Sequence, residues 1–124
     1  MKTALLLIAH GSREDLANAD LGHAVNELRR RGEYAIVEAA FLELAEPDID
    51  AGGAACVAQG ANQIVLLPYF LSAGVHVKRD LENARSRLAT KYPQVDFRLA
   101  EPLGPHPLLL QILAERARDA IPNG

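Results

Sequence analysis

Short apolar runs alternate with segments of helical spacing four times along the chain. The runs have the length of strands, and the segments between them carry apolar residues every three or four positions, as amphipathic helices do. We predict strands at 3–9, 34–41, 63–67 and 95–100, and helices at 15–31, between Asp48 and Gly60, at 78–91 and from Pro107 onward. Repeated strand–helix alternation predicts an α/β fold with a parallel sheet and right-handed crossovers.

The polarity of the predicted strands sets their order in the sheet. The first and third are almost wholly apolar, which marks central strands covered on both faces. The second contains Glu38, and the fourth alternates apolar residues with Asp96 and Arg98, as edge strands do. We therefore predict a three-layer α/β fold with a four-stranded parallel sheet of order 2-1-3-4 and helices on both faces. At 124 residues the chain is expected to form one domain, 1–124.

Local signals mark the ends and inner faces of the helices. Ser12 and Asp15 resemble a capping box for the first helix. Glu46 and Asp48 are expected to place negative charge at the start of the second helix, and Cys56 falls on its inner stripe. The last helix is expected to bury a stripe made of Leu109, Ile112, Leu113, Ala117 and Ala120.

Composition and charge argue against several classes of protein. The net charge of -3 argues against a general nucleic-acid or membrane binder. No apolar stretch approaches the roughly 20 residues of a membrane helix, and the first apolar run is too short for a typical signal-peptide core. A single cysteine allows no internal disulfide and fits a reducing compartment. We expect a soluble, unprocessed, cytoplasmic protein.

Three histidines stand just past a predicted strand. His10 follows the first strand directly, His76 lies in the long connection after the third, and His106 follows the fourth. The carboxyl ends of parallel strands share one edge, where ligands bind, so these imidazoles are candidates for a metal or proton-transfer site. Ordinary roles stay open: a capping hydrogen bond for His10, a solvated loop for His76 and helix entry for His106. His23 is expected to face solvent.

Charged residues near the same edge extend this candidate site. Glu43 follows the second strand and is a candidate carboxylate for a two-histidine, one-carboxylate metal site, although it could equally face water. Gly11 would let the backbone approach a ligand closely. Arg13, Lys78 and Arg79 stand beside the two histidines, where they are either ordinary surface charges or partners for an anionic substrate.

Four motifs together resemble the small class II tetrapyrrole chelatases, which include short cobaltochelatases, sirohydrochlorin chelatases and a nickel chelatase. The motifs are LIAHGSR at 7–13, FLE at 41–43, LPYFLSAGVHVKRD at 67–80 and AEPLGPHP at 100–107. No single motif is decisive, but the four occur in order and the resemblance covers nearly the whole chain. It implies a domain equivalent to half of the longer, two-domain chelatases.

The resemblance also implies an activity and a set of functional residues. The family inserts Co²⁺, Fe²⁺ or Ni²⁺ into sirohydrochlorin without ATP, in cobalamin or sirohaem biosynthesis. His10, Glu43 and His76 would be catalytic and bind the metal, which is a substrate. The residues expected to bind the macrocycle are Ser12, Arg13, Ser72, Lys78 and Arg79. Short members work as homodimers with the macrocycle between subunits, which makes geometric sense because a flat ring needs two walls.

The chemistry of insertion constrains the roles of the metal ligands. Two pyrrole N–H protons must leave as two metal–nitrogen bonds form. His10 is the candidate base, but an imidazole bound to metal cannot accept a proton through the same nitrogen. The two roles must therefore alternate, or be divided between nitrogens or between residues. Insertion is expected to fall at low pH, because protons compete with metal for imidazole.

Two other functions fit parts of the same pattern. A non-catalytic carrier of metal or tetrapyrrole would present identical ligands. Ala9-His10-Gly11 also superficially resembles the Arg-His-Gly of histidine phosphatases, but alanine stands where the phosphate-binding arginine belongs. We prefer a chelatase, and the metal and pathway stay open because two histidines and a carboxylate suit cobalt, iron and nickel alike.

Overall fold

The computed structural model describes residues 2–122, and within that range four strands alternate with four helices. The strands are β1 (Thr3–Ala9), β2 (Ile36–Phe41), β3 (Gln63–Pro68) and β4 (Asp96–Leu99). The helices are α1 (Asp15–Arg31), α2 (Ile49–Ala58), α3 (Val75–Lys91) and α4 (Pro107–Ala120). The sheet is parallel throughout with the order β2-β1-β3-β4, which confirms the predicted topology. Met1, Asn123 and Gly124 of the predicted domain lie outside the described residues.

Two hydrophobic cores lie on opposite faces of the sheet, because successive side chains of a strand point to opposite sides. Leu5 and Leu7 of β1 face α1, where Leu21 packs against this side of the sheet. Leu6 and Ile8 face the other side, which α2 and α3 cover. The predicted three-layer arrangement is therefore confirmed. None of the helices within residues 2–122 has both the length and the apolar character needed to cross a bilayer.

The signals for the start of a helix were right for α2 and α4 and wrong for α1. Asp48 is the N-cap of α2 and accepts a hydrogen bond from the Ala51 N–H at 2.8 Å. The predicted helix-entry role of His106 is confirmed, because its Nδ1 accepts from the Leu108 N–H at 3.1 Å. The capping box of α1 is absent: Glu14 occupies the N-cap without a side-chain cap bond, so Ser12 lies too far upstream.

Helix α3 begins three residues earlier than predicted. The prediction placed its start at Lys78, but Gly74 takes the extended N-cap conformation and the helix begins at Val75. We had expected His76 to lie in the loop before α3. It lies instead in the first turn of the helix. The prediction assigned Val75 and Val77 to an apolar loop. In the structure the loop ends at Gly74, and both valines belong to the first turn of α3.

The predicted burial of α4 is wrong. All of α4 lies within the described residues, and none of its residues is buried. Leu109 is its one half-buried side chain. Leu113, predicted to face the core, is 64% exposed. The physical reason is that α4 packs against no strand or helix to any substantial extent among the described residues. The periodic pattern correctly predicts an amphipathic helix, but its apolar side has no cover within this chain.

Candidate metal-binding site

The loops that follow β1 and β2 lie against each other at the carboxyl edge of the sheet. The Leu42 N–H donates to the Ala9 carbonyl at 2.9 Å, and the Glu43 N–H donates to the His10 carbonyl at 3.1 Å. These bonds continue the parallel pairing past the last register pair of the strands, Ala9 with Phe41. Main-chain hydrogen bonds thus hold His10 and Glu43 side by side.

Gly11 allows this close approach of the two loops. It has a φ of +100°, and a Cβ atom at this position would lie 1.7 Å from the Glu43 carbonyl oxygen. Such a distance is impossible for any side chain. We had expected Gly11 to let the backbone approach a ligand, but the structure shows that its close neighbour is the backbone of Glu43. The glycine therefore positions the carboxylate beside His10.

The side chains of His10 and Glu43 have the spacing of two ligands of one metal ion. His10 Nε2 lies 3.2 Å from Glu43 Oε1, and both side chains are 57% exposed. Donors about 2.0–2.2 Å from a common ion stand about 2.8–3.6 Å apart when the angle between them is about 90–110°. Phe70 packs edge-on against the His10 ring with a centroid distance of 6.0 Å, which helps to orient the imidazole.

A cavity of about 390 Å³ opens beside this pair, between α2 and α3. Arg87 of α3 closes part of its wall, with Nη2 3.4 Å from Asp50 Oδ1 of α2. Asp80 and Asn83 of α3 also line the cavity, and our sequence interpretation missed both. Their signal was the spacing of Asp80, Asn83 and Arg87, which places three polar side chains on one face of a helix.

His76 does not join the pair in the structure. It is exposed in the first turn of α3 and does not line the cavity beside His10 and Glu43. Between Lys2 and Pro122, no three His, Cys, Asp or Glu side chains are close enough to hold one metal ion. The structure therefore brings together two of the three predicted ligands, and the role of His76 stays a prediction.

The basic residues predicted to bind substrate lie outside the cavity. Arg13, Lys78 and Arg79 are all exposed, and none of them lines it. Lys78 borders a separate, smaller depression together with Glu101. These residues are accessible to a large ligand lying across the edge of the sheet, and their role in binding stays a prediction.

The two predicted substrate-binding serines have different surroundings. Ser12 belongs to a loop held by Asn18, whose Oδ1 accepts from the Ser12 N–H at 2.9 Å and whose Nδ2 donates to the Ser12 carbonyl at 2.8 Å. Ser72 lies beside His106 in an apolar groove of about 820 Å³ against α4. His106 lines the same groove, and a role for its imidazole in metal binding or proton transfer stays a prediction. Binding of substrate by either serine stays a prediction.

Exposed apolar side chains surround the carboxyl edge. We call the following set the apolar collar: Leu16 in the first turn of α1, Leu44 after β2, Tyr69 and Leu71 after β3, Val75 at the start of α3, and Leu103 after β4. The other large apolar residues exposed between residues 2 and 122 belong to α4 or its C-cap. A collar of this kind marks a surface for an apolar ligand or a partner.

Cys56 is no part of the candidate site. Its side chain is fully buried in the core under α2, as predicted. Burial raises the pKa of the Cys56 thiol to about 12, and the nearby Glu38 carboxylate adds to the effect. The thiol therefore stays protonated near neutral pH, which makes it a poor metal ligand.

The fold and the site define an α/β protein with a histidine–carboxylate pair at the carboxyl edge of a parallel sheet. The family model described as CbiX matches residues 4–120, and the chain belongs to this family. The predicted chelatase resemblance is therefore confirmed.

Relatives and solved structures agree with this assignment. The chain is 37% identical over 119 residues to the sirohydrochlorin cobaltochelatase of Priestia megaterium, covering 96% of this chain and 39% of that protein. It is 34% identical over 117 residues to the sirohydrochlorin cobaltochelatase of Sulfolobus acidocaldarius, covering 94% and 91%. The sirohydrochlorin chelatase SirB from Bacillus subtilis, in complex with cobalt, matches with a TM-score of 0.89 and 32% identity, over 97% of this chain and 51% of that one.

The relatives have two different lengths. The chain spans about half the length of SirB and less than half of the Priestia protein, but nearly all of the Sulfolobus protein. One copy of this fold is therefore the whole length of some relatives and about half of others.

Proposed function

We propose that the protein inserts Co²⁺, Fe²⁺ or Ni²⁺ into sirohydrochlorin or a related tetrapyrrole without ATP, in cobalamin or sirohaem biosynthesis. The observation that carries the proposal is the His10 Nε2–Glu43 Oε1 pair, 3.2 Å apart and open to solvent. The apolar collar lies on loops and helix starts at the same edge of the sheet and suits the flat face of a macrocycle. Relatives at 34–37% identity over most of the chain are sirohydrochlorin cobaltochelatases, which supports the same activity here.

Metal capture follows from the chemistry of the pair. Neutral His10 offers one nitrogen lone pair, and Glu43 offers a carboxylate that offsets part of the charge of the ion. Two protein ligands leave the remaining coordination positions for water and then for pyrrole nitrogens. Such an open set of ligands holds the ion while still allowing it to leave.

Insertion requires a place for two protons. As the metal forms bonds to the two pyrrole nitrogens that lose protons, its bonds to His10 and Glu43 would break, and the bonds to the other two nitrogens would replace coordinated water. The released imidazole nitrogen and carboxylate oxygen are each a base beside a pyrrole N–H, so each takes one proton and passes it to water. In this order of steps His10 acts first as a metal ligand and then as a base. This meets the constraint that one nitrogen cannot hold both metal and proton.

The remaining site residues act on the macrocycle and complete the ligand set. Arg13, Lys78 and Arg79 would pair with its acidic side chains. Ser12 and Ser72 would contact it from the loops after β1 and β3. His76, exposed at the same edge, would provide the third ligand once the macrocycle is bound.

Two copies of the chain would form the working enzyme. A flat macrocycle needs a wall on each side, and one sheet edge provides one. SirB has about twice the length of this chain, so a homodimer would supply the second wall that the longer chain can provide by itself. We further propose that residues 1–124 form a single domain and act in the cytoplasm, where the reduced Cys56 thiol would be stable.

A side-by-side insertion assay tests the activity. Sirohydrochlorin is mixed with Co²⁺, Fe²⁺ or Ni²⁺, with and without protein, and the absorption change is followed. His10→Ala and Glu43→Gln should each lower the insertion rate at least 100-fold with at least one of these metals. His23→Ala, which removes an exposed histidine of α1, should leave the rate unchanged.

Two outcomes would contradict the proposal. Unchanged insertion by folded His10→Ala would exclude the pair as the metal site. A spectral shift on mixing, without a rate above the protein-free reaction, would make the chain a carrier of metal or tetrapyrrole and not a chelatase.

A further inference from the structure

Leu44 has a backbone conformation that leucine rarely adopts. Its φ is +65°, and it is the one residue other than glycine with a positive φ between residues 2 and 122. In this left-handed region the Cβ atom crowds the carbonyl oxygen that follows it, so side chains are strained there, those of asparagine and aspartate least. Leu44 therefore occupies a position that glycine or asparagine would fill with less strain.

The loop around Leu44 is fixed on both sides. The Glu43 N–H, directly before it, donates to the His10 carbonyl at 3.1 Å. The Phe41 N–H donates to the Pro47 carbonyl at 2.8 Å, so the segment between these two residues forms a closed loop. Strain of this kind persists only where the surrounding structure determines the conformation, and such positions cluster at functional sites.

The residues on either side of Leu44 face opposite sides of the sheet. Glu43 lines the cavity between α2 and α3, beside His10. Ala45 is half-buried and packs against the core under α1. The chain therefore crosses from one side of the sheet to the other at Leu44, which belongs to neither core.

The Leu44 side chain is unfavourable for the free chain in two ways. Its backbone is strained, and the side chain is 52% exposed, so much of its apolar surface stays in water. Its position suggests the reason for a leucine here. It follows Glu43, a proposed metal ligand, and belongs to the apolar collar at the carboxyl edge. A flat apolar ligand lying on this edge would cover it.

We propose that Leu44 contacts the face of the macrocycle and holds the ring over the His10–Glu43 pair. This role rests on the proposed function, because it requires a tetrapyrrole at this edge. Burying the exposed part of the isobutyl group against the ring gains hydrophobic free energy and keeps water away from this side of the ion. Because the loop is already fixed, little conformational freedom is lost when the ring binds.

The first test measures the affinity for the macrocycle without metal. Metal-free sirohydrochlorin is titrated into the protein in the presence of a chelator, and the absorption change gives the dissociation constant. Leu44→Asn removes the apolar group and relieves the strain, and it should raise this constant about tenfold. Leu44→Gly should lose as much affinity. Leu44→Met keeps an apolar side chain of similar size and should bind like wild type.

Three results of this titration would overturn the role of Leu44. Equal affinity of wild type and Leu44→Asn would show that the side chain does not contact the ring. If sedimentation equilibrium then shows a changed number of chains per particle, the surface is covered by a second copy. A loss with Leu44→Asn but not with Leu44→Gly would be an effect of the amide group. A loss with Leu44→Met equal to that of Leu44→Asn would show that apolar contact is not the cause.

The second test separates a binding role from a structural one. Leu44→Asn should keep or raise the urea midpoint of wild type, because a positive φ suits asparagine better than leucine. Its dissociation constant for Co²⁺ alone should match that of wild type, since both proposed ligands are unchanged. A lower midpoint or weaker Co²⁺ binding would mean that Leu44 supports the loop, and would overturn the proposal.

Failure of this role is distinguishable from failure of the function. If wild type inserts metal and Leu44→Asn has the wild-type KM for sirohydrochlorin, only the role of Leu44 is overturned. If wild type binds sirohydrochlorin but does not insert metal, the chelatase activity is overturned, and the metal-free titration still decides whether Leu44 contacts the ring. A wild type that does not bind sirohydrochlorin overturns both.

Discussion

At the scale of single residues, the candidate site depends on a glycine as much as on its two donors. His10 and Glu43 come from loops separated by more than thirty positions in the sequence. Their main chains approach closely because Gly11 has no Cβ atom to meet the Glu43 carbonyl. Backbone packing therefore sets how closely the two donors can approach, and a side chain at position 11 should change their 3.2 Å separation without removing either donor.

Gly11→Ala should lower both stability and insertion. The substitution forces a left-handed φ on alanine and moves the Glu43 loop, which we expect to cost about 2 kcal/mol of unfolding free energy. Insertion should fall at least tenfold, because the pair separates. Urea unfolding and the insertion assay measure the two effects.

Gly22→Ala provides the matched control for this substitution. Gly22 lies within α1, and a Cβ atom there meets nothing within 4 Å. The same substitution should therefore stabilise the protein by about 0.5–1 kcal/mol and leave insertion unchanged. If both alanine variants behave alike, the contact between Gly11 and Glu43 does not determine the site.

The buried thiol gives a prediction that depends on pH. Because burial raises the pKa of Cys56 to about 12, the folded protein keeps this proton at pH values where the unfolded chain, with a pKa near 9.0, has lost it. The thiol should react with alkylating reagents far more slowly in the folded protein than in urea. Its contribution to stability should decline as pH rises above about 9, because the unfolded state then binds fewer protons.

Cys56→Ala isolates this effect. The difference in unfolding free energy between wild type and Cys56→Ala should shrink between pH 8 and pH 10. A constant difference, or rapid alkylation of the folded protein, would show that the thiol is accessible to water.

The sequence predicted the two donors and could not predict how they are held. Imidazole and carboxylate groups directly after strands are recognisable from residue type and position alone. The contact of Gly11 with Glu43 depends on the register of two strands, and the cavity position of Asp80 depends on the rotation of α3. Both are long-range properties of packing.

At the scale of the elements, one of the two predicted helix caps forms in the structure and the other does not. Asp48 caps α2 through a 2.8 Å bond from the Ala51 N–H, whereas Ser12 lies two residues before the N-cap of α1. Asp48→Ala should therefore cost about 1 kcal/mol of unfolding free energy. Ser12→Ala should change it by less than about 0.5 kcal/mol.

Denaturant unfolding of the two alanine variants measures the difference between these caps. Equal losses would mean that the hydrogen bond from the Glu14 N–H to Ser12 Oγ, 3.1 Å long, supports α1 as strongly as the Asp48 cap supports α2. Folding of both variants is expected, because each residue is partly or fully exposed.

The positions of the strands and helices could be predicted from apolar spacing, but some of their first and last residues could not. The four strands and four helices were predicted in the right order, because buried strands and amphipathic helices have different periods. The start of α3 was missed because Val75 and Val77 are as compatible with an apolar loop as with a helix. The outward face of α4 was missed because a helical stripe predicts burial but not which surface provides it.

At the scale of the whole molecule, the sheet order could be predicted because it depends on the polarity of each strand. Glu38 on β2 and the charged residues of β4 place these strands at the edges, as found. The surroundings of α4 could not be predicted in the same way, because its apolar residues look identical in the sequence whether they face the sheet or solvent.

The proposed two-copy site makes the insertion rate depend on protein concentration in a defined way. If one chain provides a single wall, only the assembled pair inserts metal. Below the dissociation constant of the pair, the concentration of pairs varies with the square of the chain concentration. A tenfold dilution should then lower the wild-type insertion rate by up to about 100-fold, whereas a rate that is linear in chain concentration at every dilution would show that one chain suffices.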